Sequence, residues 1–164
     1  NLGGSNVAFD FSPDMICFGK AIANGHPLAS LVGTEKLKHS AEKVYFTGTQ
    51  FFSAPPMAAA LATLDQLQKV NAPNKLIEYG ENLNKRLVEV AEKEGFSLIA
   101  SGMPSMPYYR LENVDFETHI RWIDECVRRG VYMLGYHNHF ISLAHRKEDI
   151  DFIENTAKQA FQSL

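Results

Sequence analysis

Hydrophobic and polar positions fall into distinct blocks along the chain, and these blocks predict a mixed order of strands and helices. Residues 1–12 are small and polar around Gly3-Gly4 and predict a loop. Residues 14–18 form a short, nearly continuous apolar run between Pro13 and Gly19, the signature of a strand buried on both faces. Residues 28–32, closed by Gly33, predict a second strand, and 34–43 have the composition of a short exposed helix. A longer helix is predicted from Ser53 or Ala54 at the cap, through Pro55-Pro56 in the first turn, to Val70. Its apolar stripe is Met57, Leu61, Leu64 and Leu67.

Residues 71–74 interrupt the pattern, and a second long helix follows over about 75–94. Leu76, Tyr79, Leu83, Leu87 and Val90 share one of its faces, and Gly95 suits its C-terminal cap. Such a helix is long enough to connect two domains, so a boundary is expected near residue 72 or within it. Beyond Gly95 the pattern becomes α+β. Strands are expected at 96–100, 106–111, 131–134 and 140–143. One helix is expected at 115–129, ending with Arg128 and Arg129 where cations favour the helix dipole. Another is expected at about 147–162, with Ile150, Ile153, Ala157 and Phe161 turned inward.

Composition narrows the class. At 164 residues, 45% hydrophobic and 21% charged, the chain suits one ordinary globular domain or one domain and part of another. The net charge of -3 gives no support for nucleic-acid binding. No apolar run approaches the roughly 20 residues of a membrane span. No charged-then-apolar leader marks the chain for export, and Cys17 and Cys126 lie far apart, as expected of reduced thiols in a cytoplasmic protein. The first residue is Asn1, which suggests a processed, truncated or partial chain.

Three stretches carry candidate chemistry. In Pro13-Asp14-Met15-Ile16-Cys17-Phe18-Gly19-Lys20-Ala21-Ile22-Ala23-Asn24-Gly25-His26-Pro27-Leu28, a lysine directly follows an apolar strand and is flanked by glycines. A desolvated strand end would keep part of the amine neutral and therefore nucleophilic. By itself, a lysine at a strand end is an ordinary solvated charge. The second stretch, Phe46-Thr47-Gly48-Thr49-Gln50, offers a hydroxyl and glycine-turn amides suited to a phosphate, although a plain loop before a helix reads the same way. The third is Gly135-Tyr136-His137-Asn138-His139. Two histidines two apart can share a metal only with further ligands, which the sequence does not declare. The flanking pattern of a nuclease is absent as well. A substrate-facing polar loop and a plain surface loop remain open for this stretch.

The first two stretches, taken with Arg129-Gly130-Val131-Tyr132 and with 140–151, resemble class III pyridoxal-phosphate aminotransferases and their glutamate-1-semialdehyde aminomutase relatives. The likeness runs from residue 2 to about 160. It implies an α/β chain that forms a C-terminal part of the fold type I transferase. Residues 1–72 would be part of the large, cofactor-binding domain, 73–95 a connecting helix and 96–164 the α+β small domain. Lys20 matches the lysine that forms the aldimine with pyridoxal 5'-phosphate, and Thr49, with Gly48, matches the threonine turn that reaches the cofactor phosphate. The implied partners are a small-molecule amino donor and a carbonyl acceptor.

Several family features differ here. Where the family usually has Ser-Gly-x-Pro, this chain reads Phe51-Phe52-Ser53-Ala54-Pro55. The aminomutase's acidic residue has no counterpart in 135–139, and no arginine lies between Tyr132 and Ser142 to hold a substrate carboxylate. The family's carboxylate for the pyridine nitrogen belongs upstream of Asn1, so the resemblance implies that 164 residues are somewhat under half of a parent enzyme. The isolated chain is therefore expected to be inactive, or to bind the cofactor weakly through Lys20. The alternatives are a non-catalytic remnant and an aminomutase fragment. Unpaired apolar edges predict a dimer or higher oligomer, with 96–164 as the best-ordered core.

Overall fold

The computed structural model describes residues 2–164. The chain divides into two compact units, Asn1–Pro73 and Asn74–Leu164.

In the first unit a one-turn helix, α1 (Ser5–Ala8), stands where a loop was expected. Gly4, at φ 87°, turns the chain so that the N–H groups of Val7 and Ala8 reach its carbonyl. Strands β1 (Met15–Phe18) and β2 (Ser30–Gly33) pair antiparallel, with Ile16 opposite Val32 and Cys17 opposite Leu31. The expected burial of β1 on both faces does not occur. Met15 is 58% and Leu31 65% exposed, because among the described residues these two strands form a sheet by themselves. Continuous apolar runs are made by strands with layers on both sides, whereas in β1 only Ile16 and Phe18, on one face, are half-buried.

A 3₁₀ turn, Lys20–Ala23, follows β1, and a second, Glu35–Leu37, leads into α2 (Lys38–Ala41). Helix α3 (Ala54–Lys69) begins with proline in its first turn, as expected, and packs against the Lys20–Ala23 turn. Its buried residues are Pro56 and Ala60, so the predicted stripe needs correction: Met57 is 41% and Leu61 71% exposed. Small side chains permit the close approach, and the larger ones lie off the contact.

The second unit holds nearly all of the core. Helix α4 (Ala72–Lys93) starts three residues earlier than its apolar period suggested. Asn71, at φ 53°, reverses the chain, and Pro73 is tolerated in the first turn, where its missing N–H costs nothing. Leu83, Leu87, Val90 and Ala91 form the buried line of α4. Strands β3 (Ser97–Ser101) and β4 (Tyr108–Glu112) pair antiparallel with Leu98 opposite Leu111, both buried, while Ile99 faces outward. Helix α5 (Phe116–Arg128) is capped by Asp115, whose carboxylate accepts the Thr118 N–H at 2.7 Å. That bond holds the Asp115 carboxyl below its usual range.

Helix α6 (Lys147–Phe161) closes the unit through Ile150, Ala157, Ala160 and Phe161. The Phe161 ring stacks on Trp122 at 4.9 Å between centroids and on Phe96 at 5.1 Å. Arg86 of α4 bridges Asp151 (2.7 Å) and Glu154 of α6. No helix among the described residues is long and apolar enough to cross a membrane.

The strands expected at 131–134 and 140–143 are absent, and both stretches are irregular. Their backbone groups bond elsewhere: the His139 N–H donates to Pro107 O (2.7 Å) and the Ile141 N–H to Ser105 O (3.0 Å). Two isolated bonds to the approach of β4 hold the segment but make no ladder. Below them, Tyr109 is 2% exposed and its hydroxyl donates to Asn84 Oδ1 at 2.6 Å. Burial raises the Tyr109 phenol well above its ordinary value, so it stays a neutral donor at all physiological pH. Tyr109→Phe, which leaves that amide oxygen without its donor, is expected to cost about 1 kcal/mol in denaturant unfolding.

Candidate functional site

Lys20 opens the 3₁₀ turn immediately after β1, and its side chain is exposed. The expectation that a buried strand end desolvates this amine is not met, because Gly19 and Lys20 are exposed and only one face of β1, Ile16 and Phe18, is half-buried. The backbone at Lys20 is nonetheless unusual. Six non-glycine residues among those described have positive φ, and four of them, Asp10, Asn24, Asn71 and Asn113, belong to the types that tolerate it. The other two are Lys20 at 52° and Phe52 at 62°. A left-handed conformation costs an ordinary side chain about 1–2 kcal/mol, and strain of this kind concentrates at functional sites.

Phe52 lies three residues beyond Thr49. Gly48 and Thr49 belong to a reverse turn in which the Phe51 N–H donates to Gly48 O at 2.9 Å, and both residues are exposed. Phe51 packs against Phe46 (5.1 Å) and Phe52 (4.3 Å), and this aromatic cluster fixes the turn. Both strained positions therefore fall within or beside the two stretches singled out as chemistry. Glycine and asparagine content marks most positive-φ sites in a sequence, but nothing in the residue type announces Phe52. The predicted residues thus form two exposed features of the first unit, the Lys20 turn and the 46–52 turn.

In the second unit, His137 and His139 diverge. The exposed His137 bonds to the neighbouring Asn138 O at 2.8 Å through Nδ1, whereas His139 points inward against Tyr109. Among the described residues no three His, Cys, Asp or Glu side chains gather as a metal-holding group. A cavity of about 300 Å³ lies within this unit, lined by Leu83, Leu87, Tyr109, Met133, Ile141 and Ile153, with His139 and His145 at its polar edge.

Comparison with known proteins bears on these features. The family model for class-III aminotransferases matches residues 5–159. An aminopentol aminotransferase of Sphingopyxis macrogoltabida is 34% identical over 153 residues, 93% of this chain and 36% of the relative. A 3-aminobutyryl-CoA aminotransferase of Cloacimonas acidaminovorans is 28% identical over 169 residues, all of this chain and 41% of the relative. The chain thus spans roughly two fifths of the length of these relatives.

Among solved structures, FumI of a Sphingopyxis species in its pyridoxal-phosphate internal aldimine form superposes with a TM-score of 0.93 at 33% identity, covering 98% of this chain and 39% of that one. An omega-transaminase from Sphaerobacter thermophilus superposes with a TM-score of 0.89 at 17% identity, covering 99% and 41%, which speaks for the fold alone. The chain has the α/β fold of part of a class III aminotransferase.

Proposed function

This chain belongs to the class-III aminotransferase family, and from that premise we propose that it is the lysine-bearing part of a pyridoxal-phosphate-dependent aminotransferase. The observation that carries the reading is Lys20, exposed at the end of β1 and held at φ 52° in a conformation that a lysine would not adopt without a reason outside local propensity. An accessible primary amine on a short, fixed turn fits a cofactor bound covalently at its aldehyde carbon. Thr49 Oγ1 and the backbone of Gly48, on their aromatic-buttressed turn, fit the donors of a phosphate holder.

The cofactor, when bound, supplies an electron-withdrawing ring that spreads the charge left when a substrate carbon loses its proton. Lys20 Nζ would hold the cofactor at its aldehyde carbon, and the same amine, when free, would act as the acid–base group that moves a proton between the donor's α carbon and the cofactor. The substrates are a small amino donor and a carbonyl acceptor. Residues 1–72 act as part of the large domain, 73–95 as the connecting helix and 96–164 as the small domain, and the division of the chain beside Pro73 supports this assignment. Free Cys17 and Cys126 suit a reducing, cytoplasmic setting. Exposed Tyr45, Phe46, Phe52 and Leu61 supply apolar area for a homodimer or higher oligomer.

The exposed amine of Lys20 supports the expectation that this chain alone is inactive or binds the cofactor weakly through Lys20, since none of the described residues buries that side chain. Borohydride reduction of the chain equilibrated with pyridoxal phosphate, followed by peptide mapping, tests the assignment. A pyridoxyl adduct concentrated on Lys20 is the expected result. Adducts spread evenly over the surface lysines would sink it.

A further inference from the structure

The segment from Leu134 to His139 is tied down by two histidines that hydrogen-bond in opposite senses. His119 sits on the buried face of α5 and is 0% exposed. Its Nδ1 accepts the Leu111 N–H of β4 at 3.4 Å, and its Nε2–H donates to Gly135 O at 3.0 Å. His139 reverses the roles: Nε2 accepts the Leu134 N–H at 3.1 Å, and Nδ1–H donates to Pro107 O at 3.3 Å. Both rings thus use one nitrogen as acceptor and the other as donor, a pattern open only to neutral imidazole. The Tyr108 hydroxyl adds a donor to Gly135 O at 3.2 Å. Gly135 also packs closely on α5, where a Cβ would lie 2.3 Å from the end of the Ile120 side chain and 3.6 Å from His119 Nε2.

We propose that His119 and His139 form a pH-operated clasp, neutral rings fastening residues 134–139 to β4 and its approach, and protonation releasing them. An imidazolium has two N–H donors and no acceptor, so the Leu111 and Leu134 N–H groups would each face another donor in a buried site. No carboxylate offsets the new charge; the Gly135 and Pro107 carbonyls that accept from the rings favour it only in part. His119 is faced by Arg110 of β4, by Tyr108 of β4 through Gly135 O, and by Phe116 and Trp122 of its own helix. His139 is faced by His137 of its own segment and by Tyr109 of β4, whose hydroxyl is given to Asn84 of α4. Neither ring has a carboxylate partner among the described residues.

Desolvation lowers both imidazoles below the ordinary value of 6.5 and outweighs the opposing hydrogen bonds to Gly135 O and Pro107 O, with Arg110 adding to the lowering at His119 and His137 at His139. The released or unfolded histidine therefore takes its proton first on acidification. The clasp contributes fully above pH 6.5 and weakens as pH falls below it. Leu134, Asn138, His139 and Ile141 also line the cavity of the second unit, so release of the segment opens that cavity. None of this depends on the proposed aminotransferase activity.

Imidazole ¹⁵N spectra of the chain at pH 8 are expected to show His119 protonated at Nε2 and His139 at Nδ1. Hydrogen exchange, taken relative to the intrinsic rate at each pH, is expected to lose protection at Leu111 and Leu134 by about tenfold per pH unit below 6.5. Val90 in α4 should hold its protection over the same range. The variant H139Q keeps an acceptor for Leu134 but does not titrate, and should flatten the response at Leu134 while Leu111 still responds. The clasp is overturned by identical tautomers, by protection at Leu134 that is constant from pH 8 to 5, by Val90 falling in step, or by titration at Leu134 persisting in H139Q.

Discussion

Replacing Lys20 with alanine is expected to abolish the trapped pyridoxyl adduct and, in a protein that carries this chain and turns over, to slow amino-group transfer by at least about 10²–10⁴-fold, the usual worth of a positioned acid–base group. The fold should not suffer. Lys20 is exposed and holds no ion pair or side-chain hydrogen bond within the described residues, so far-ultraviolet dichroism should match the parent. Partial rescue by an added small primary amine would separate lost chemistry from lost structure. The strained backbone gives a second check through Lys20→Gly. Glycine adopts φ 52° without a Cβ clash, so this variant should be more stable than Lys20→Ala by about 1 kcal/mol while equally inactive. Equal stability of the two would mean that the left-handed turn carries no strain. Undiminished turnover in Lys20→Ala would end the proposed role outright.

The second large effect is structural. Gly80 is buried in α4, and a Cβ built there would lie 1.9 Å from Pro104 O and 2.4 Å from its carbonyl carbon. The obstacle is backbone, in the loop between β3 and β4, so no rotamer change relieves it. Gly80→Val is expected to destabilise the second unit by about 3 kcal/mol or more, at the upper end of overpacking penalties. Unfolding in urea, followed by Trp122 fluorescence, reads this directly because Trp122 lies wholly inside the core of that unit. Gly80→Ala should lose less, and the order parent, alanine, valine is the signature of steric cause. A simple helix-propensity effect would go the other way for alanine, since alanine is the better helix former. A stabilised Gly80→Ala would show that the loop moves aside freely.

Local pattern made the helices of this protein legible. The 3.6-residue period of Leu83, Leu87 and Val90 and the proline-led start at 54–56 place α4 and α3 to within a few residues. The same period places His119 with Trp122, Ile123 and Cys126 on one face of α5, so its burial was open to inference from helix geometry. Its partner acceptor and donor were not, because Leu111 and Gly135 come from other elements. The strands at 131–134 and 140–143 failed for a related reason. Their apolar composition fits a strand, but a strand exists only where a neighbour completes its ladder, and here the segment bonds to 105–107 and to histidine rings instead.

The candidate site divides in the same way. Lys20, Gly48 and Thr49 were singled out as candidates by short motifs, because a lysine after a strand or a hydroxyl in a glycine turn is written in consecutive residues. Family membership followed from the same stretches and is carried by residues 5–159. The left-handed backbone of Lys20 and Phe52, the exposure of β1, and the switch of the buried face of α3 from Met57 and Leu61 to Pro56 and Ala60 were decided only in three dimensions. The sequence by itself determined the long helices, the candidates for chemistry and the family, since these depend on neighbours within a few positions. The tertiary structure decided which apolar faces are covered, which backbone groups the histidines hold and where strain is stored, because those depend on residues far apart in the chain that meet only after folding.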